Sequence, residues 1–354
     1  MPNALIAMSG GVDSSVAAFL MQQRGFTCAG VTMKLFDAEE PDALHKKSCC
    51  SLSDVNDARD VAFRLGIPHY TLNLKDEFEH DVIKKFISTY ERGGTPNPCI
   101  DCNRFIKFNT LLYRARQLEF DTLVTGHYAR IVKSNGRFLL KKGLDTNKDQ
   151  SYVLYMMTQA QLAATVFPLG DLTKEEVRNI AEEHGFINAG KQDSQDICFV
   201  PNGDYAGFME SRRGKQYPSG DIRDLSGKKI GVHNGIVRYT IGQRRGLGIS
   251  ASVPLYVQSK SMQTNTITLG PKSSLYSTSL TADNMNLIAC GNLNAPLRVS
   301  VKTRYLQKEQ SAIAEQTGTD SFRIDFDHPQ AAITSGQAAV MYNGDLVIGG
   351  GTIR

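Results

Sequence analysis

The sequence predicts an α/β protein: a parallel sheet with helices on both faces, followed by a β-rich tail. Three observations carry that reading. A short apolar run, Ala4-Leu5-Ile6-Ala7, leads through a glycine turn into an apolar helical pattern from Val16 to Met21. Strand-like and helix-like segments alternate over the first 200 residues, the pattern of a parallel sheet covered by its crossover helices. After about Pro201 the long helical periods stop, and glycines, prolines and short alternating runs replace them.

In order, strands are expected at Thr27 to Phe36, His69 to Leu74 and Thr122 to Thr125, and helices at Asp54 to Leu65, Glu77 to Tyr90 and Phe105 to Leu118. A further helix at Thr173 to His184 starts with a capping box, Thr173 with Glu176. Between Gly220 and Gly248 only short strand-like pieces are expected. From about Leu269 the pattern is nearly all β, with turns such as Asn343-Gly344-Asp345, which suits a small barrel or sandwich. Boundaries fall near 200 and 270. Ligands of a parallel sheet sit at the carboxyl ends of its strands. The glycine turn, Met33 and Gly126-His127 therefore share one rim.

Composition bounds the function. With 41% hydrophobic and 21% charged residues, the chain is an ordinary globular one. A net charge of +4 and a pI near 8.6 permit an anionic partner without demanding one. No apolar run approaches the roughly 18 residues of a membrane helix. The N-terminus lacks a basic region followed by a long apolar core, so a cytoplasmic location with no membrane partner is expected. Seven cysteines in a chain of this kind read as reduced thiols with catalytic or metal roles, not as a disulfide scaffold.

The glycine turn, SGGVDSS over Ser9 to Ser15, is where chemistry concentrates. Gly10 and Gly11 let the backbone take unusual conformations and remove side chains that would block a phosphate. The first N–H groups of the following helix favour an anion. Ser9, Ser14 and Ser15 add hydroxyls, and Asp13 is placed to hold Mg²⁺. No Gly-Lys-Ser/Thr follows, so this is not a Walker A loop. The string resembles the PP-loop of the ATP-pyrophosphatase superfamily, whose members cleave ATP between the α- and β-phosphates.

The cysteines leave alternatives open. Gly93 to Asn103 reads GGTPNPCIDCN, a shaped loop that places Cys102 close to the start of the next helix, where dipole and cations lower a thiol's pKa. Cys99-x-x-Cys102 is a redox dithiol, half a metal site completed by Cys49-Cys50, or one catalytic cysteine with an accidental neighbour. Cys198, in KQDSQDICFV, is either a core thiol or an active thiol brought over the rim by the polar run Gln192 to Asp196. Cys28 and Cys290 are assigned to structure.

SGGVDSS, Cys49-Cys50-Ser51, TPNPCIDCNRFIKF (95–108), TGHYAR (125–130), KDQSYVLY (148–155), DSQDICFV (193–200) and YTIGQRRGLG (239–248) occur in this order. Together they resemble the tRNA-specific 2-thiouridylase family, over nearly the whole chain. The resemblance implies an ATP-pyrophosphatase catalytic domain of the adenine nucleotide alpha-hydrolase-like fold (1–200), a central tRNA-binding domain (201–270) and a C-terminal β-barrel (271–354). It implies replacement of O2 by sulfur on the wobble uridine in the anticodon arm of tRNA, with ATP and Mg²⁺ and a persulfide sulfur donor. Cys102 becomes the nucleophile and Cys198 the persulfide carrier, resolved as a Cys102–Cys198 disulfide or by release of hydrosulfide. ATP contacts fall on Ala7, Met8, Ser9, Gly10, Gly11, Val12, Asp13, Ser14, Met33 and Gly126. Asn97, Pro98 and Cys99 lie against the target base, and some family members carry Asp where this chain has Cys99. Lys148, Asp149, Gln150, His127, Arg304, Tyr305 and Gln337 match tRNA-contact positions. No resident metal is expected, although Cys99 and Cys102 could hold one. The competing readings are an amidotransferase-like synthetase acting on a small molecule and an RNA-binding protein without catalysis.

Overall fold

The computed structural model describes residues 2–36, 52–192 and 196–354. Cys49-Cys50-Ser51, and residues 193–195 of the run before Cys198, lie outside the described residues.

Strand β1 (Asn3–Ala7) enters helix α1 (Val12–Gln23) through the glycine turn. β2 (Thr27–Lys34), α2 (Leu52–Arg64) and β3 (His69–Asn73) follow. Helix α3 runs through Lys75–Phe78, Glu79–Ile83 and Lys84–Glu91. Helix α4 runs through Pro98–Asp101, Cys102–Leu111 and Leu112–Gln117, its middle segment wound wider, as a π-helix. Next come β4 (Thr122–Val124), the hairpin β5 (Ala129–Ser134) and β6 (Arg137–Lys142), α5 (Gln159–Ala163), β7 (Thr165–Val166) and α6 (Lys174–Glu183).

Among the described residues the first sheet has the order β3-β2-β1-β4-β7, all parallel. β1 lies at its centre and carries an unbroken apolar run because both faces are covered. Ala4 and Ile6 face a core shared with Val16, Ala58, Val61 and Val177 of α1, α2 and α6. Leu5 faces the opposite core, with Phe108 and Leu111 of α4. That alternation is the period of two that a strand imposes.

Helix α7 (Tyr205–Arg213) and strands β8 (Gly220–Arg223), β9 (Lys229–His233), β10 (Tyr256–Ser261) and β11 (Thr266–Gly270) form the middle of the chain. Their sheet, β10-β11-β8-β9, packs Ile222, Val257 and Ile267 toward Phe78, Phe86 and Tyr90 of α3. The tail holds β12 (Tyr276–Leu287), β13 (Leu297–Lys302), β14 (Gln310–Gly318), β15 (Ser321–Ala331), β16 (Ala338–Asn343) and β17 (Leu346–Ile353). Pairing of β12 with both β15 and β17 closes these six strands into a barrel, around Val301, Ala312, Phe322, Ile324 and Met341.

Four expectations needed correction. The helix expected from Phe105 starts at Pro98, because proline is well suited to the first helical position, where its missing N–H costs nothing. The strand expected to reach Phe36 ends at Lys34. The hairpin β5–β6 was not expected; it turns on Asn135-Gly136, both at positive φ (48° and 78°), and joins the barrel sheet through β17. Helix α7 lies in a stretch read as helix-poor; Asp204 caps it by accepting the Gly207 N–H, and left-handed Gly214 ends it.

Candidate active site

The glycine turn is built by its neighbours. Met8 is buried and tied to β2: its N–H donates to Val31 O, and Thr32 Oγ1 donates to Met8 O, both at 2.8 Å. Gly10 stands at φ +72°, and a Cβ there would lie 2.3 Å from the Asp54 carbonyl oxygen. Glycine is required because α2 packs directly on the turn. Gly11 caps α1 without any side-chain hydrogen bond, so the first N–H groups of α1 keep their capacity for an anion. Ser14 Oγ donates to Gly11 O (2.9 Å) and accepts the Ser9 N–H (3.2 Å), closing the turn. Ser9 is exposed, while Val12 and Ser14 are buried. A Cβ on Gly126 would lie 2.8 Å from Asp13 C and 2.9 Å from Ser14 N, so the end of β4 abuts the first turn of α1.

Two lysines from one segment grip this turn. Lys174 Nζ donates to both Asp13 carboxylate oxygens (2.7 and 2.9 Å), and Tyr128 OH donates to Asp13 Oδ1 at 2.8 Å. Lys191 Nζ donates to Asp54 Oδ1 (2.6 Å), Asp57 Oδ2 (2.7 Å) and Gly10 O (3.2 Å). Burial alone would lower the Lys191 pKa, yet its bonds to Asp54 and Asp57 leave it raised. Asn188 Nδ2 bridges Gly10 O and Ser15 Oγ.

Two cysteines of the sequence motifs, Cys102 and Cys198, border one apolar cluster. Asn97 caps α4 with Pro98 at its start, and exposed Cys99 sits in the first turn. Half-buried Cys102 lies one turn further, beside Asp101. Burial pushes the Asp101 carboxyl up, against the pull of Lys85 and Arg104, and Lys85 Nζ is 2.5 Å from Asp101 Oδ1. Cys102 and Cys198 both pack against the apolar cluster that contains Phe78, Phe86, Ile106 and Phe199. Met33, at the end of β2, touches this cluster and also the sheet's own core. β2 pairs with β1 up to Ala7–Val31, so one strand end links the cysteine cluster to the glycine turn. Cys28, Cys99, Cys102, Cys198 and Cys290 are not in disulfides. Among the described residues no three His, Cys, Asp or Glu side chains gather as a metal site; the Cys49-Cys50 half of the metal reading lies outside them.

A second group of side chains lines the junction with the barrel. Gln337 Nε2 donates to Thr95 O (3.0 Å) and Pro96 O (3.2 Å), just before Asn97. Tyr305 OH donates to Asp149 O at 3.2 Å, Arg304 donates to Ala332 O, and Lys302 Nζ lies 5.9 Å from the Tyr305 ring centroid. The loops carrying Asn97, Asp149, Arg304 and Gln337 therefore meet.

Three family models match consecutive stretches: a tRNA methyl transferase HUP domain over residues 3–202, a tRNA methyl transferase PRC-barrel domain over 206–271 and an aminomethyltransferase β-barrel domain over 277–353. The chain is 48% identical to the tRNA-specific 2-thiouridylase MnmA of Natranaerobius thermophilus over 354 residues, covering 99% of this chain and 96% of that protein. The chain belongs to the tRNA-specific 2-thiouridylase family. The thiouridylase MnmA of Clostridioides difficile is likewise 48% identical over 352 residues (99% and 97% coverage), and that of Acetivibrio thermocellus 46% over 353 (99% and 98%).

Set in a thiouridylase, several expected contact residues prove to have structural duties. His127 is buried; its Nδ1 lies 2.7 Å from Thr125 Oγ1, and Phe108 and Phe167 flank its ring. Burial, aided by Lys107, holds its pKa well below that of an ordinary histidine. It is not the surface residue the sequence suggested. Asp149 spends its carboxylate on Gly143 N, Ser151 N and Ser151 Oγ. Gln150 Oε1 accepts the Tyr128 N–H. Asp13, expected to await Mg²⁺, is held by Lys174 and Tyr128. Sequence reasoning missed Lys174, Asn188 and Lys191 at the thiouridylase turn; the Lys174–Asp13 pair spans 161 positions, and no local motif announces it.

Proposed function

We propose that this chain is an ATP-dependent tRNA-uridine 2-sulfurtransferase acting on the wobble uridine in the cytoplasm, with residues 1–200 as catalytic domain, 201–270 as central tRNA-binding domain and 271–354 as C-terminal barrel. The observation that carries the reading is the bridge through Met33: Cys102 and Cys198 border one cluster, and that cluster adjoins the phosphate-binding turn. A small-molecule synthetase has no use for the second thiol, and a binding-only protein has no use for either.

The turn fits a nucleotide. Ser9, Gly10, Gly11, Val12, Asp13 and Ser14 offer uncapped helix N–H groups and hydroxyls, with Ala7, Met8, Met33 and Gly126 forming the surrounding wall. ATP bound there supplies the adenylyl group that turns the uridine O2 into a leaving group, and Asp13 is the carboxylate available to Mg²⁺ once its lysine moves. Asn97, Pro98 and Cys99 line the base position, while Lys148, Arg304, Tyr305 and Gln337 serve the anticodon arm. Asp149, Gln150 and His127 support that face from within.

Cys198, loaded with a sulfane sulfur by an external persulfide donor, attacks C2 with its terminal sulfur as AMP leaves with the former O2. The Cys102 thiolate then attacks Cys198 Sγ. The S–S bond to the transferred sulfur breaks, its electron pair stays with the sulfur on C2, and a Cys102–Cys198 disulfide forms, to be reduced by an external thiol. This is covalent catalysis with two thiols. The test compares donors. Cys198→Ser abolishes thiolation from a protein persulfide but keeps measurable reaction with free sulfide; equal loss with both donors contradicts the carrier role.

A further inference from the structure

We propose that Tyr152 and Asn103 are positioning residues for sulfur transfer: with the barrel they close a hydrogen-bonded ring that fixes Asn97, Pro98 and Cys99 relative to Cys102. The proposal rests on the two-thiol reading above and goes beyond it, since neither residue is among the contact positions named there. The ring has three links. Asn103, next to Cys102 and 3% exposed, donates from Nδ2 to Val153 O at 3.0 Å. Val153 belongs to a short turn of 3-10 helix, Ser151–Leu154. From the same turn, Tyr152 OH donates to Ala338 O at 2.9 Å, where β16 begins. One residue earlier, Gln337 Nε2 donates to Thr95 O and Pro96 O, which returns the chain to the residue before Asn97.

The last link is doubled, because the Thr95 N–H donates to Ser335 O at 2.8 Å. Gly336 stands at φ +87°, and a Cβ there would lie 3.0 Å from Thr95 O, so the barrel meets this loop backbone to backbone. Both ends of the run 95–103 are thus held from outside it. An asparagine inside a helix competes for backbone partners and is a poor helix former; at position 103 its amide instead crosses to another segment. Tyr152 is fully buried, where a polar group left without its partner is costly. Each bond runs between elements, so losing it lets the loop and Cys102 drift apart without removing a helix or a strand. A misplacement of about 1 Å can cost a reaction about a hundredfold.

Steady-state thiolation of tRNA and site-resolved alkylation of the full chain test this. Tyr152→Phe and Asn103→Leu each lower kcat at least fivefold and leave the KM for ATP and for tRNA within twofold. Each changes the alkylation rate of Cys102 at least threefold and leaves that of Cys290 unchanged. Because one opened link slackens the whole ring, the double variant is no more than twofold slower than the slower single one. Tyr152→Phe, which removes one oxygen atom, carries the test on its own if Asn103→Leu does not fold. Unchanged kcat, losses that multiply in the double variant, or an effect confined to KM overturns the proposal. Failure of wild-type protein to form 2-thiouridine would instead refute the two-thiol reading, and the alkylation rates would still decide the ring.

Discussion

The Tyr205 hydroxyl donates to Asp196 Oδ1 at 2.8 Å, two residues before Cys198. The same oxygen takes the Ile197 N–H at 2.7 Å, and the Tyr205 ring stacks on Tyr90 with centroids 6.4 Å apart. Beyond Cys198, Phe199 is buried edge-on against Phe78 and Phe86. The thiol is thus held between a polar anchor and an apolar plug. Burial and the Asp196 charge push the Tyr205 hydroxyl's pKa up, so it stays a donor at working pH. Tyr205→Phe should cost about 1 kcal/mol or less of stability, the scale of a partly exposed hydrogen bond. Alkylation of Cys198 should become severalfold faster while the KM for ATP holds. An unchanged alkylation rate would dismiss the anchor.

Lys191 ties the glycine turn to α2 through Gly10, Asp54 and Asp57. Lys191→Met takes the Lys191 ammonium away from the Asp54 carboxylate, which is 7% exposed. Breaking a buried ion pair costs about 3–5 kcal/mol; the partial exposure of Lys191 lowers the expectation to about 2 kcal/mol. Urea unfolding checks this, and Lys191→Met with Asp54→Asn should recover part of the loss.

Gly10 and Gly11 should respond differently to alanine. At Gly10 a Cβ meets the Asp54 backbone at 2.3 Å in a left-handed conformation. The conformation alone costs about 1–2 kcal/mol, and α2 must also retreat. At Gly11 the nearest atom is Ser9 Oγ at 3.4 Å, an ordinary contact. Gly10→Ala should lower the melting temperature and abolish ATP binding, whereas Gly11→Ala should fold like wild type. Equal melting temperatures would contradict the packing account.

Acid should destabilise the fold through its histidines. Burial lowers the pKa of His69, His127 and His233 in the native state. The unfolded chain, with histidine near 6.5, binds the protons that the native state refuses. Stability is therefore whole above about pH 6.5 and falls as the pH drops below it, by up to about 1.4 kcal/mol per pH unit for a fully buried site such as His127. His127→Gln should flatten the slope of melting temperature against pH between 6.5 and 5.

What could be read ahead of the structure was local. SGGVDSS declares its turn because strand, glycines and helix are contiguous, and Thr173 with Glu176 declares a cap across three residues. The alternation of strands and helices yielded the parallel sheet, and the loss of helical period yielded the barrel. Pro98 was placed in a loop ahead of a helix that it in fact starts. Asn135-Gly136 was a legible hairpin signal passed over between Thr125 and Thr173, where no element was assigned. Lys174 with Asp13 and Lys191 with Asp54 were out of reach, since only the folded sheet brings such distant residues together. The buried state of His127 was hidden for the same reason: its neighbours Phe108 and Phe167 come from other elements.

The most direct measurement is product formation. Wild-type protein is incubated with ATP, Mg²⁺, a sulfide source and unmodified tRNA, and the digested tRNA is examined by mass spectrometry. The account predicts 2-thiouridine at the wobble position, with AMP and pyrophosphate released in step with it. Absence of 2-thiouridine, together with AMP release on a small-molecule acceptor, would contradict it.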